Sequence, residues 1–253
     1  MPAGKPDDRI AVVGAIPARY ASTRLPGKAL LPLLGRPLIE HVYRRVSRVE
    51  SLSDVVVLTD DERIVAAVEG FGGRCELTPP ECRSGTDRVA WAARRWSAAA
   101  VVNVQGDEPL VDCVELAAMV RHLIAHPEDP VVTLATDCPD DLFEDPDAVK
   151  VVVSRAGYAL YFSRAPVPFP RHPGHARPRL HVGVYGYQRQ ALLELAAIEP
   201  TPLELAESLE QLRALESGYP IRVLPSAKPS VGVDTPADLE RVERMMRSME
   251  QSE

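Results

Sequence analysis

Two aspartates occupy positions in this 253-residue sequence from which carboxylates could bind a metal or a substrate. Asp107 follows the apolar run VVNVQG, so we expect it at the end of a strand. Asp234 is also predicted at a strand end, just before a helix that Thr235 would cap. Ligands of open α/β sheets bind beyond the carboxyl ends of the strands, so both side chains are predicted to meet over one divalent cation. The alternative for Asp107 is a turn with solvated acids.

A loop rich in cations follows the first predicted strand, Ile10 to Ile16. Arg19, Arg24 and Lys28 lie within a proline-containing and glycine-containing segment. A solvated basic turn is one explanation, but cations at the carboxyl end of a buried strand favour a polyphosphate ligand. Neither a Walker A loop nor a G-x-G-x-x-G motif after a strand is present. A nucleotide bound here would therefore be held mainly by side-chain cations.

A second candidate loop, Ser84 to Asp87, carries hydroxyls and exposed amides beside the start of a predicted helix. Such a loop can bind a base or a ribose, which require directional hydrogen bonds. It can equally be a plain helix cap formed by Ser84, with Asp87 in the first turn. The sequence of this loop alone favours neither alternative.

Two pairs of residues that include histidines give weaker indications of a binding site. His122 and His126, four residues apart on a predicted helix, resemble half of a metal site, but they lack a third ligand and are predicted to be surface residues. His181 and Tyr185 share the parity of a predicted strand, so they face the same side. That side could be a substrate wall or simply packed core.

The composition excludes several classes of protein. A net charge of -7 opposes binding to nucleic acid, which requires a basic surface. We expect no membrane segment, because the first apolar run is short and soon followed by charge. The four cysteines form no C-x-x-C pair, so reduced thiols and a cytoplasmic location are predicted.

The order of the predicted elements indicates an α/β fold. Strands and helices alternate through the first half, with helices predicted at Pro37–Val49 and after a capping box of Thr59 and Glu62. We expect one domain over residues 9–253 after a flexible tail at residues 1–8. Within it, an antiparallel hairpin at Ala148–Ser163, with about two residues between its strands, indicates an inserted subdomain at residues 137–180. This insertion is predicted to provide dimer contacts or a lid.

Near the C-terminus, Leu203–Pro220 is predicted to be one amphipathic helix that ends at Gly218. Its leucines at positions 205, 209, 212 and 215 are expected to face inward. Glu210 and Gln211 lie off that apolar stripe.

Several segments together resemble the cytidylyltransferases that activate sugar acids, most closely the 3-deoxy-manno-octulosonate (KDO) cytidylyltransferase family. The resemblance is carried by IPARYASTRLPGKAL, SGTDR, VNVQGDEP, YALYFSRAPVP, H-x-G-x-YGY, LEQLR and GVDTPADLERV, in the family's order. It implies a Rossmann-like nucleotide-diphospho-sugar transferase fold with a mixed, mostly parallel sheet. It also implies a homodimer, and a reaction in which CTP and KDO give CMP-KDO and pyrophosphate for lipopolysaccharide biosynthesis.

The resemblance also implies roles for individual residues. The catalytic residues would be Arg19, Lys28, Asp107 and Asp234, of which Asp107 and Asp234 would hold Mg²⁺. The nucleotide would contact Pro17, Ala18, Arg19, Lys28, Thr78, Arg83, Ser84, Gly85, Asp87 and Gln105. The acidic sugar would contact Gln105, Arg164, His181, Tyr185, Glu210 and Gln211.

Three other functions fit the sequence less well than this one. A cytidylyltransferase for a sialic or pseudaminic acid is the nearest alternative, although LEQLR and H-x-G-x-YGY favour KDO. A nucleotide-binding protein without turnover would not need metal ligands, so the two aspartates argue against it. A dinucleotide-dependent oxidoreductase is excluded by the absence of the glycine fingerprint.

Overall fold

A computed structural model of the chain describes residues 11–21, 25–172 and 174–250. The predicted flexible tail, residues 1–8, and Arg24 of the cationic loop lie outside the described residues.

The strands and helices, numbered in chain order, have the following bounds. The strands are β1 Val12–Pro17, β2 Pro32–Leu33, β3 Arg36–Pro37, β4 Asp54–Thr59, β5 Cys75–Leu77, β6 Ala100–Asn103, β7 Val131–Asp137, β8 Lys150–Val153, β9 Ala159–Ser163, β10 Arg179–Gln188 and β11 Ile221–Pro225. The α-helices are α1 Leu38–Val46, α2 Glu62–Gly70, α3 Gly85–Ala93, α4 Cys113–Ala125, α5 Asp140–Phe143, α6 Arg189–Ala197, α7 Pro202–Glu207, α8 Gln211–Glu216 and α9 Pro236–Glu250. A short 3-10 helix spans Lys28–Leu30.

Nine strands form the main sheet within the part of the chain that the structure describes. Seven of them run in the order β11-β7-β10-β6-β1-β4-β5. Off this path, β8 pairs with β10, and β9 pairs with β8. Strand β10 is antiparallel to both of its central neighbours, β6 and β7, whereas β1, β4, β5 and β6 are parallel to one another. The predicted α/β fold with a mixed, mostly parallel sheet is confirmed.

The apolar strands bury side chains on both faces of this sheet. On β6, Val102 packs into the cluster formed with α1, α2 and α4, whereas Val101 packs into the cluster formed with α3, α6 and α8. Side chains alternate along a strand, so a continuous apolar run is what a strand covered on both faces requires. A smaller third cluster joins Leu33 and Leu110 to Val233 and α9.

Several local predictions were wrong. Asp61, not Thr59, caps α2, because its carboxylate accepts the backbone N–H of Arg63 at 2.9 Å, while Thr59 is the buried last residue of β4. The hairpin strands β8 and β9 are antiparallel as predicted, but residues 154–158 join them instead of about two residues. Strand β8 also pairs with β10, so the hairpin extends the main sheet.

The predicted helix Leu203–Pro220 is in fact two helices, α7 and α8. Ser208 adopts a left-handed conformation with φ of 52°, which ends α7. A buried ion pair fixes this break, since Arg213 of α8 donates at 2.7 Å to Glu204 of α7. As a consequence Leu205 is 67% exposed instead of inward, whereas Leu209 is buried as expected.

A buried carboxylate, in the loop between α4 and β7, links α4, the β8–β9 loop and β11. Asp129, which is 1% exposed, accepts hydrogen bonds from Tyr158 at 2.7 Å, His122 at 2.7 Å and Arg222 at 3.1 Å. His122 is therefore not the surface residue that the sequence predicted. Burial alone would raise the pKa of Asp129, but these hydrogen bonds outweigh it and lower the pKa below its ordinary value.

We expect Asp129→Asn to lower the free energy of unfolding by about 3 kcal/mol at pH 7, since it leaves buried donors without an anion. A carboxylate with a lowered folded-state pKa contributes stability above its unfolded-state pKa of about 3.9 and loses it as the pH falls through the folded-state pKa. The difference between wild type and variant in urea denaturation should therefore shrink below about pH 4. Glu128→Gln, at an exposed carboxylate next in the chain, should leave the wild-type curve unchanged. Equal effects of the two substitutions would contradict this role.

Candidate active site

Two loops cross at the carboxyl ends of β1 and β6, and a glycine allows them to touch. The N–H of Gly106 donates to the carbonyl of Pro17 at 3.3 Å. A Cβ at position 106 would lie 2.9 Å from that carbonyl oxygen and 3.3 Å from Ala18. The loop after β6 can thus pass the loop after β1 only without a side chain at this point.

Lys28 joins the two predicted metal ligands. Its ammonium donates to Asp107 and, at 2.9 Å, to Oδ1 of Asp234. The two aspartates therefore converge on one cation, although they are far apart in the chain. Within the described ranges, no group of three or more His, Cys, Asp or Glu side chains could hold a metal ion.

The position of Asp234 differs from the sequence prediction. Strand β11 ends at Pro225, so Asp234 lies in an extended loop and does not follow a strand directly. Its neighbour Val233 is fully buried and donates its N–H to the carbonyl of Asp107 at 2.9 Å. On the other side, Thr235 and Asp238 form the predicted capping box of α9. Anchors on both sides therefore fix Asp234 beside Asp107.

The pKa values of Lys28 and of the neighbouring Glu108 are both raised, with opposite effects on the charge of the two groups. Burial lowers the pKa of Lys28, but Asp107 and Asp234 more than offset burial and raise it above its ordinary value, so the ammonium stays charged. Burial, together with repulsion from both aspartates, raises the pKa of the neighbouring Glu108 to about 7. The hydroxyl of Ser230 donates to this carboxyl group. The site is therefore less negative at neutral pH than three ionised carboxylates would make it.

A polar cavity of about 410 Å³ opens beside this cluster. Most of the residues predicted for the nucleotide line it: Pro17, Ala18, Arg19, Lys28, Arg83, Ser84, Gly85 and Gln105. The two predicted metal ligands, Asp107 and Asp234, line the same cavity. Ser84 caps α3 by accepting the N–H of Asp87 at 3.1 Å, so the loop is a helix cap and also lines the cavity. The positive end of the helix dipole and several cations therefore face one space, an arrangement that suits a polyphosphate.

A second cavity, of about 290 Å³, adjoins the first, and the two share Gly85, Gln105 and Glu210. Tyr185 and Gln211, both predicted for the sugar, line it together with Ser208. The break between α7 and α8 brings Ser208 and Gln211 to this cavity, because one continuous helix would have carried both residues past it.

Four of the predicted site residues line neither cavity. Thr78 and Asp87 lie behind the nucleotide loop, where Thr78 donates to the carbonyl of Thr59 and accepts from Arg88. Arg164 donates to the carbonyl of Glu207 at 2.8 Å. His181 lies against Tyr185, with ring centroids 5.3 Å apart, and burial lowers its pKa to about 3.

Sequence reasoning missed other residues that line the cavities: Cys82, Arg88, Tyr187 and Arg213. Arg88 is 4% exposed and pairs with Asp60 at 2.7 Å, directly after β4. The only signal in the sequence was its place in SGTDR, since burial and pairing depend on the tertiary fold.

The fold and the two adjoining cavities define a nucleotidyltransferase, in which a nucleotide site opens onto a site for an acceptor. The model of the Cytidylyltransferase family matches residues 13–223 of this chain. The chain therefore belongs to the cytidylyltransferase family.

The curated relatives carry a more specific name. The 3-deoxy-manno-octulosonate cytidylyltransferase of Geobacter sulfurreducens is 50% identical over 249 residues, which cover 91% of this chain and 97% of the relative. That of Myxococcus xanthus is 50% identical over 241 residues, covering 93% of this chain and 96% of the relative. Both matches thus extend over nearly the whole length of each protein.

Solved structures support the same fold. A CMP:2-keto-3-deoxy-manno-octonic acid synthetase complexed with CTP has a TM-score of 0.91 and 41% identity, covering 94% of this chain and 99% of that chain. A cytidylyltransferase from Leptospira borgpetersenii has a TM-score of 0.65 and 19% identity, covering 95% and 88%, which supports the fold alone.

We expect Gly106→Ala to lower the free energy of unfolding by about 2 kcal/mol, because the added methyl group would push apart the loops after β1 and β6. Gly232→Ala is the matched control, since its Cβ would lie 3.8 Å from the carbonyl oxygen of Asp107, an ordinary contact. That variant should stay within about 0.5 kcal/mol of wild type in urea denaturation. A Gly106→Ala protein as stable as wild type would show that the loops can separate freely.

Proposed function

We propose that this protein transfers CMP from CTP to the anomeric hydroxyl of 3-deoxy-D-manno-octulosonate, releasing pyrophosphate and forming CMP-KDO for lipopolysaccharide biosynthesis. The observation that carries the proposal is the pair of adjoining cavities, with Gln105 at their boundary. Cations line the first cavity, whereas tyrosines, polar groups and aliphatic side chains line the second. The names of the curated relatives support CTP as the donor and KDO as the acceptor.

The chemistry needs positioning and charge stabilisation more than a nucleophilic side chain. The sugar hydroxyl attacks the α-phosphorus and loses its proton, while the bond to the β-phosphate breaks and pyrophosphate leaves. Arg19 and Lys28 line the cavity where negative charge grows on the leaving group, so their positive charge stabilises it. Gln105 borders both cavities and is placed to orient donor and acceptor toward each other.

The proposal includes Mg²⁺, held by Asp107 and Asp234. Carboxylate oxygens are the ligands that Mg²⁺ prefers, and these two side chains already converge on one cation, the ammonium of Lys28. Bound there, Mg²⁺ would supply charge neutralisation for the phosphates and lower the pKa of the attacking hydroxyl. Lys28 would then leave the carboxylates and contact the triphosphate, since it lines the same cavity.

We further propose a homodimer that works in the cytoplasm. Leu160 and Phe169, in and just after the hairpin, are 62% and 82% exposed, which favours a contact through this region. All four cysteines have free thiols, in keeping with a reducing compartment. No described helix is both long and apolar enough to cross a bilayer.

Pyrophosphate release tests the reaction directly. We expect turnover with CTP and KDO in the presence of Mg²⁺, none with ATP or GTP, slower turnover with UTP, and none in EDTA. Sialic and pseudaminic acids should be poor acceptors. Faster pyrophosphate release with one of these acids than with KDO would show that this acid is the substrate. The absence of release with every acceptor would support a binding protein without turnover.

The same assay tests the proposed metal ligand. Asp107→Asn should reduce turnover by more than about 100-fold while the protein stays folded, because it removes charge from the site and keeps the size of the side chain. Asp112→Asn is the control, since Asp112 caps α4 in the same region and has no place in the cavity. It should retain turnover and stay close to the wild-type melting temperature, since asparagine caps a helix about as well as aspartate does.

Lys28→Met should increase the affinity for Mn²⁺ in the absence of nucleotide by about 10-fold or more, measured by the EPR signal of free Mn²⁺. In the wild-type protein the metal must displace an ammonium that is bonded to both carboxylates. Arg83→Met removes a cation from the same cavity that pairs with Asp87 and Glu199 instead, so it should bind Mn²⁺ like wild type. Unchanged or weaker Mn²⁺ binding by the Lys28 variant would disprove the exchange.

A further inference from the structure

Asn103, the last residue of β6, is a buried amide whose hydrogen bonds are unmade. Its side chain is 0% exposed, and neither Nδ2 nor Oδ1 has a hydrogen-bond partner among the residues that the structure describes. Thr59, at the end of β4 in the same sheet, is equally buried, yet its hydroxyl accepts the N–H of Asp61 at 3.2 Å. Two strand ends at the same edge of the sheet thus carry polar side chains, and in the free protein only Thr59 has a partner.

The direction of the Asn103 side chain follows from the alternation along β6. Val102 packs against α1 and α4, so Asn103 points to the opposite face, as Val101 does. Its register partner on β10 is Tyr185, and Gln105 follows two residues later. Tyr185 and Gln105 both line the acceptor cavity, so Asn103, which does not line it, lies next to residues that do.

A buried amide without partners is costly. Leaving such a group unsatisfied destabilises the folded protein, and valine would fill a strand position on this face without that cost, as Val101 does. Buried polar groups are otherwise paired in folded proteins, so an unpaired one indicates a state of the molecule in which partners are present. A polyhydroxylated sugar acid, or water that it orders in the acceptor cavity, offers both donors and acceptors to an amide.

We propose that Asn103 is a positioning residue for the acceptor: occupation of the acceptor cavity supplies the hydrogen-bond partners that its carboxamide lacks in the free protein. Part of the affinity for the sugar acid then comes from relieving this buried amide. The inference rests on the proposed function, since it assigns the acceptor cavity to the sugar. It makes Asn103 specific for the acceptor, because Tyr185, its partner in the register, lines the acceptor cavity and not the nucleotide cavity.

The test is Asn103→Leu, which keeps the volume of the side chain and removes both polar atoms. The free variant should melt at the wild-type temperature or higher, since it loses an unsatisfied amide. Its KM for KDO should rise about 10-fold or more, its KM for CTP should stay within about 2-fold, and the increase in melting temperature that KDO produces should shrink. Thr59→Val, the matched control, should melt at a lower temperature with both KM values unchanged.

A wild-type KM for KDO in the Asn103→Leu variant would overturn the inference, as would a lowered melting temperature with unchanged KM values, which would show that the amide is satisfied without substrate. If the variant does not fold, the side-chain amide resonances of Asn103 in the ¹⁵N-labelled wild-type protein decide. KDO should shift them and slow their exchange with water, and unaffected resonances would refute the role. Failure of the proposed function is distinguishable from failure of the role of Asn103. In the first case the wild-type protein itself would not release pyrophosphate from CTP and KDO.

Discussion

Two ionised carboxylates repel each other in a partly buried site, so a cation between them is needed to keep both charged, and this requirement organises the active site. Asp107 and Asp234 meet at the ammonium of Lys28, so three distant parts of the chain are tied together by charge. The backbone supports the same arrangement, because Val233 donates to the carbonyl of Asp107 and Gly106 lets the loop after β6 contact the loop after β1. Charge pairing and close backbone packing thus depend on each other at this point.

The antiparallel strand β10 explains how one sheet edge serves two ligands. The loops after the parallel strands β1 and β6 form the cationic cavity, as expected at the carboxyl ends of an open α/β sheet. Because β10 runs in the opposite direction beside β6, it brings Tyr185 level with Asn103 and places an aromatic wall next to that cavity. The two cavities are therefore neighbours because of strand direction.

Buried polar groups in this protein are of two kinds. Those of Asp129 and of the pair Glu204 and Arg213 are fully bonded, and they hold separate elements together. Asn103, by contrast, lacks partners and lies next to residues that line the acceptor cavity. The fully bonded groups lie where the fold must be rigid, whereas the unpaired amide lies where a ligand is expected, a distribution that fits local compromise of stability at a functional site.

The sequence by itself determined the alternation of buried strands and amphipathic helices, the cap at Thr235, and the segments that supply the cationic loop and the two aspartates. These follow from local periodicity, capping chemistry and strand ends, which depend on near neighbours in the chain. Tertiary structure alone decided that Lys28 is the cation between the aspartates, that Ser208 divides the predicted helix at the acceptor cavity, and that Asn103 is left without partners. Each of these depends on contacts between residues far apart in the sequence, such as the ion pair between α7 and α8 and the register of β6 with β10, and local patterns carry no information about such contacts.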